Sequence, residues 1–378
     1  MKVTFPHMGN IYLPLKGLFD DLGVETVIPP KCSKRTSDMG IRLSPELICL
    51  PFKINLGNYL ESIEKGADTI IIPGGCGPCR LGFYGQVLKE ILHDNNIDVE
   101  VIVLEAPDAE FGKFFNTFKR IILTRNPFKI GRSFKNALRL LNKLNIFEEI
   151  MLRNRPYEKD KGTIKNLHGT LIDELENSRG SISMLKTMDR ALYQLNSTPI
   201  IKNREDVIRV GIVGEIYTVL EDSVNFNIIE RLNDMGVEVH KSLTTGEWLT
   251  ENLNRLFSRK SKRINPQEAA KTYINSFVGG HGRESVGNAV IYGQKGFDGV
   301  IHLMPFNCMP EIVALSILSR VHDESNVPIL TLVLDEMTGE AGYVTRLEAY
   351  IDLLKTRKKK YQETEDKGNA KRMPKAVD

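Results

Sequence analysis

Short runs rich in valine and isoleucine, each closed by Pro, Gly or Asp, occur in two groups with helical stretches between their members. The first group is 3–5, 25–28, 69–72 and 99–104; the second is 207–215, 237–240, 299–304 and 327–334. Runs this short and this apolar read as buried strands. Amphipathic stretches at 13–22, 57–65 and 86–93 separate the first four. Strands that alternate with helices form parallel sheets with helices on both faces, so the expected fold class is α/β with two doubly wound, Rossmann-like parallel-sheet domains. Between the groups the pattern turns helical, with little clustering of β-branched residues. The division that follows is an N-terminal α/β domain at 1–107, a helical middle segment at 108–206, a C-terminal α/β domain at 207–356 and a basic, disordered tail at 357–378.

Composition agrees with that frame. A chain of 378 residues exceeds one ordinary core, and 41% hydrophobic with 26% charged residues describes a globular protein. No run of 18 apolar residues occurs and MKVTFPHMGN has no signal-peptide organisation, so the expectation is a cytoplasmic protein without a membrane span. The net charge of +3 is concentrated in the last 24 residues, which hold nine Lys/Arg against four Asp/Glu. A solvated charge run is a stronger reading of that tail than a nucleic-acid contact. Segment 111–144 carries Lys113, Lys119, Arg120, Arg125, Lys129, Arg132, Lys135 and Arg139 among apolar positions. An amphipathic helix pair accounts for it, and a surface for a partner or for the phosphates of an acyl-coenzyme A is the sharper alternative.

The chemistry lies in the cysteines. Of five, Cys49, Cys76, Cys79 and Cys308 fall where turns leave an expected sheet: PELICLPFK, IIPGGCGPCRLGFYG and IHLMPFNCMPE. Such turns put backbone N–H groups near the sulfurs, which suits an anionic centre. Cys76-Gly-Pro-Cys79 is by itself equally a redox dithiol or half of a zinc site, and free cysteine is also a common small hydrophobe. Cys32, after Pro29-Pro30-Lys31, could reach the same crevice. Arg80 and Lys53 lie beside the cysteines in sequence and are candidates to offset the charge of a cluster. His281, Arg283 and Glu284 of GGHGRESVG are candidates to contact substrate or to cap a helix. His302 reads as a core histidine, Glu215 and Tyr217 as crevice residues at a strand end, and Asp335, Glu336, Thr338 and Glu340 as structural. A GxxxxGK[ST] phosphate loop, HExxH, an EF-hand loop and a GxSxG elbow are all missing, which counts against P-loop ATPases and hydrolases.

The stretches CLPFKINLGNYLESIEKGADTIIIPGGCGPCRLGFYG, GIVGEIY, GGHGRESVG, DGVIHLMPFNCMPE and DEMTGEAGYVTRLEAYID resemble the 2-hydroxyacyl-CoA dehydratase superfamily. Within it, the chain is similar to the branch known as acyl-CoA dehydratase activase-related proteins or CoA protein activases. The resemblance spans roughly residues 1 to 355. It implies a [4Fe-4S] cluster held by cysteines from two flavodoxin-like domains, here Cys49, Cys79 and Cys308 with Cys76 as a fourth. A double-cubane iron-sulfur cluster is the alternative, and five cysteines are too few for its six thiolates within one chain. It also implies low-potential, one-electron chemistry energised by a separate ATP-dependent activase, an acyl-CoA substrate and a homo- or heterodimer. A lyase or a reductase component is the enzyme class implied. A non-catalytic electron-relay or activating subunit and a zinc-stabilised binding module are the rival readings.

Overall fold

Eight strands among the described residues form two sheets of four, ordered β2-β1-β3-β4 and β6-β5-β7-β8, with every neighbouring pair parallel. The strands are β1 Lys2–Thr4, β2 Glu25–Thr26, β3 Thr69–Pro73, β4 Glu100–Leu104, β5 Arg209–Gly214, β6 Glu238–Lys241, β7 Gly299–Pro305 and β8 Ile329–Leu334. The computed structural model describes residues 1–74, 79–104, 111–201, 206–242 and 265–370, the side chains of 111–115 and 364–370 excepted. The α/β class with two parallel sheets read from the sequence is the observed one. All seven residues of β7 are buried, as a strand covered on both faces must be. In each sheet the strand order reverses between the first and third strands, which places a crevice at their carboxyl ends.

In the first half the helices are α1 Tyr12–Leu22, α2 Lys34–Leu43, α3 Leu50–Glu64 and α4 Tyr84–Asp94. Helices α2 and α3 cross at two glycines: a Cβ on Gly40 would stand 1.7 Å from the Lys53 carbonyl oxygen, and one on Gly57 would stand 1.8 Å from that of Thr36. Only glycine lets two backbones come so close. The crossing sets the position of α3, and therefore of Cys49 at its head.

The helical middle holds α5 Phe111–Ile121, α6 Pro127–Asn154, α7 Thr163–Asn177 and α8 Ser181–Ser197. Asn126 caps α6 by accepting from the Phe128 and Lys129 amides at 3.0 and 3.3 Å, and Pro127 opens its first turn without needing a partner for an N–H. Helix α6 packs on α1, on α8 and on β6, so it touches both halves. One continuous core therefore runs from Val3 and Phe19 through Leu140 and Phe147 to Val210 and Leu303. Burying each phenylalanine contributes roughly 1.5–3 kcal/mol.

The second half adds α9 Ile216–Leu220, α10 Ile228–Asp234, α11 Pro266–Ala270, α12 Gly282–Gln294, α13 Met309–Ser325 and α14 Glu340–Ala370. The last corrects an expectation. The segment from 357, read as a disordered tail, stays helical to Ala370, and 371–378 lie outside the described residues. The helix is anchored by buried Leu347, Tyr350, Ile351 and Leu354 and carries on into lysines that favour helix. Arg357 donates to the Asn326 carbonyl at 2.6 Å and Lys358 to that of Val207 at 2.7 Å, which fixes the first turn of the supposed tail.

Candidate functional site

Three thiols stand at the heads of three helical segments. Cys49 is the N-cap of α3, Cys79 the N-cap of the 3-10 turn Arg80–Phe83 that runs into α4, and Cys308 the N-cap of α13. All three have extended backbone, and none of the sulfurs closes a geometric capping bond to its own helix. The amides of Phe52, Leu81 and Glu311 nevertheless lie close enough to favour the thiolate form of Cys49, Cys79 and Cys308 respectively. Helix N-termini carry unpaired N–H groups and a partial positive charge, so three of them together favour an anionic centre. Cys76 lies outside the described residues.

The three come from both sheets and share an electrostatic neighbourhood. Cys49 feels the charges of Cys79 and Glu215; Cys308 feels Glu215, Glu311 and Cys49; Cys79 feels Glu215 and Glu311. Burial is the largest influence on each thiol. It pushes Cys49 up to about 11 and raises Cys79 and Cys308 as well, so without a cation these are thiols at neutral pH. The Tyr84 hydroxyl hydrogen-bonds Cys49 Sγ and works against that rise.

Glu215 follows β5 and caps α9. Its Oε1 accepts from the Tyr217 amide at 3.0 Å and its Oε2 from the Thr218 amide at 2.9 Å. Burial outweighs these bonds and pushes its carboxyl up to about 7. A carboxyl that gains and loses its proton near neutrality thus sits within charge reach of all three thiols.

The two halves repeat one another at the site. Cys79 follows β3 and Cys308 follows β7, the matching strands of two sheets with the same order. Cys49 heads the helix that leads into β3, and the helix that leads into β7 is α12, with His281 as its N-cap. His281 therefore stands where the second half matches Cys49. A Cβ on its neighbour Gly280 would lie 3.9 Å from Cys79 Sγ, so this loop borders the thiols. Burial lowers the His281 imidazole and favours its neutral form. Cys49-Leu50-Pro51 and Cys308-Met309-Pro310 share the spacing Cys-x-Pro, with proline in the first helical turn in each case. That repeated spacing was the available signal for two equivalent helix heads.

Other expected residues turn elsewhere. Lys53 is buried, donates to the Glu46 carbonyl at 2.9 Å and pairs with Glu336 behind β8. Its charge ties the two halves together. Arg80 donates to the Leu47 carbonyl at 2.9 Å and stays at the surface, bracing the loop before Cys49. Arg283 donates to the Gln267 carbonyl at 3.2 Å and Glu284 accepts from the Gln267 side chain at 2.7 Å, so both hold α11. His302 is a core histidine, with Nε2 2.9 Å from Glu311 Oε2 and Nδ1 3.3 Å from the Thr331 hydroxyl. Asp335 accepts from the Thr338 hydroxyl at 2.8 Å, a turn contact.

Cys32 groups with a histidine and a glutamate. Its sulfur lies 3.9 Å from the Tyr217 hydroxyl and shares a pocket with His7 and Glu221, two residues to which the sequence gave no prominence.

No family model matches the chain, and no curated protein matches it. Among the described residues, no helix is long and apolar enough to cross a membrane.

Proposed function

We propose that this chain is an iron-sulfur protein of the 2-hydroxyacyl-CoA dehydratase type, with Cys49, Cys79 and Cys308 as the thiolates that hold the cluster and Cys76 as a further candidate. The observation that carries this reading is the meeting of three helix-head thiols from two sheets around Glu215. Their spacing also supports it. Thiolates on one zinc ion, at about 2.3 Å from the metal, stand within roughly 4 Å of one another. Among the described residues the three sulfurs do not gather within 4.8 Å, although Cys49 senses the charge of Cys79 and Cys308 that of Cys49. That leaves room for a polynuclear centre.

When bound, such a cluster supplies low-potential one-electron transfer. The chain itself does the rest. The amides at three helix heads stabilise the negative charge of the thiolates, and the Glu215 carboxyl holds or releases a proton beside them. The Lys53–Glu336 pair and the shared core keep the two halves in register, so ligands from both sheets stay at fixed separation. No phosphate-binding loop is present in the sequence, so the energised electron comes from a separate ATP-dependent activase. The substrate class is a 2-hydroxyacyl-CoA thioester, and the compartment is the cytoplasm.

The test is turnover. The anaerobically purified chain is assayed against a panel of 2-hydroxyacyl-CoA thioesters with an ATP-dependent activase, reductant and ATP. Activase-dependent loss of water from one of them is expected. Reduction of the chain without dehydration of any thioester would favour the electron-relay reading.

A further inference from the structure

A second group of metal-ligating side chains lies apart from the three thiols. One nitrogen of His7, the sulfur of Cys32 and one carboxylate oxygen of Glu221 lie within 4.8 Å of one another. His7 follows β1 and Cys32 follows β2 in the first half, whereas Glu221 follows α9 in the second. His7 and Glu221 are both buried and Cys32 is half-buried.

Each donor is held in place by its surroundings. Glu221 Oε2 lies 2.8 Å from His7 Nδ1 and accepts from the Gly9 amide at 3.3 Å, while its Oε1 accepts from the Ser223 hydroxyl at 3.0 Å. The His7 ring stacks on Tyr12 with centroids 5.1 Å apart, and the Asn58 side chain accepts from the His7 amide at 3.4 Å. Gly9, at φ +51°, presses its loop onto α9 so closely that a Cβ there would stand 2.9 Å from the Leu220 carbonyl oxygen. Supporting contacts of this kind fix ligand orientation before a metal arrives.

We propose that His7, Cys32 and Glu221 form a site for a divalent, zinc-class cation that joins the two halves of the molecule. Imidazole nitrogen, thiolate sulfur and carboxylate oxygen are the three donor types that zinc accepts, and three protein ligands leave a fourth position for water. Charge balance favours the same ion. A thiolate and a carboxylate beside a neutral imidazole carry two negative charges, which a divalent cation cancels within a buried pocket. Binding displaces the thiol proton of Cys32 to solvent. Ligand atoms within 4.8 Å of one another stand near the spacing of donors on a single ion.

This site stands independently of the proposed cluster, and one construction separates the two. In the full-length C49S/C76S/C79S/C308S variant, Cys32 is the sole remaining cysteine of five. Titration with Co²⁺ is expected to saturate at one equivalent, with tetrahedral d–d bands and a thiolate-to-cobalt charge-transfer band that Zn²⁺ abolishes. Adding Cys32→Ser should remove the charge-transfer band, and Glu221→Gln should weaken binding at least about tenfold, the lower end for loss of a group that supports a metal. A folded quadruple variant with no charge-transfer band overturns the proposal. If that variant does not fold, metal content of the anaerobically purified wild-type chain and of Cys32→Ser, each loaded with Zn²⁺ and desalted, decides instead. Loss of one zinc equivalent with iron and sulfide unchanged supports the site. Unchanged zinc, or loss of iron, overturns it. Iron missing from the wild type would sink the cluster reading and leave this one standing.

Discussion

His302 Nε2 lies 2.9 Å from Glu311 Oε2 with both side chains fully buried, one turn into the helix that Cys308 begins. Nδ1 lies 3.3 Å from the Thr331 hydroxyl, so the ring bridges α13 and β8 through both of its nitrogens. The pair anchors the head of α13 to β7 and β8, and with it the position of the one thiol contributed by the second sheet. Removing one partner of a buried pair leaves the other uncompensated, at a cost of about 3–5 kcal/mol. His302→Ala should destabilise by that order in urea unfolding and lower cluster occupancy, with Glu311→Gln the milder change because it keeps an acceptor.

The α2–α3 crossing reverses the usual effect of replacing glycine in a helix. Alanine for glycine at an open helical position stabilises by roughly 0.5–1 kcal/mol. Gly131 in α6 has nothing within 4 Å of an added Cβ, so Gly131→Ala should raise the melting temperature slightly. Gly40→Ala and Gly57→Ala must push a carbonyl oxygen away from less than 2 Å and should lower it by far more, each displacing Cys49 at the head of α3. Thermal unfolding of the three variants tests the sign at each site.

The pH dependence of the metal-free chain follows from Glu215. Its carboxyl ordinarily titrates at 4.5 and is pushed up to about 7 in the folded protein, chiefly by burial. Between those values the folded chain keeps a proton that the unfolded chain has released. This contribution is fully present below pH 4.5 and is lost as the pH rises through 7. Glu215→Gln should therefore be more stable than the wild type at pH 8 and differ little at pH 4.5. The expected gain at pH 8 is roughly 1–3 kcal/mol, reduced by the solvent that reaches this partly exposed group. Urea unfolding at the two pH values checks it.

Joining the two halves is also a matter of Lys53. The ammonium is buried and depends on Glu336 and the Glu46 carbonyl. Lys53→Met removes the buried charge and leaves Glu336 partly solvated, so the expected loss is about 1–2 kcal/mol, well short of that at His302. Proteolysis under native conditions should cut the connection between the halves faster in this variant.

Strands were legible because parallel strands covered on both faces are largely apolar, as β3 is at its three isoleucines and β7 at all positions but His302. The thiols at 49, 79 and 308 were legible because cysteine beside proline or glycine at a strand or helix end has few ordinary uses. His7 and Glu221 were not, since 214 residues separate them and each alone resembles any polar residue near a turn. The contact of Lys53 with Glu336 was not legible for a related reason, since 283 residues separate the two. The helix through 357–370 escaped notice because its anchoring contacts to Asn326 and Val207 are tertiary.

Iron and acid-labile sulfide, with the electron paramagnetic resonance of the dithionite-reduced protein, test the central claim most directly when measured on the anaerobically purified wild type and on Cys308→Ser. Ligation from both sheets predicts iron and sulfide in the wild type, a reduced-cluster signal, and a clear loss of both in Cys308→Ser. Zinc without iron in the wild type, or a Cys308→Ser protein with the wild-type signal and iron content, would contradict it.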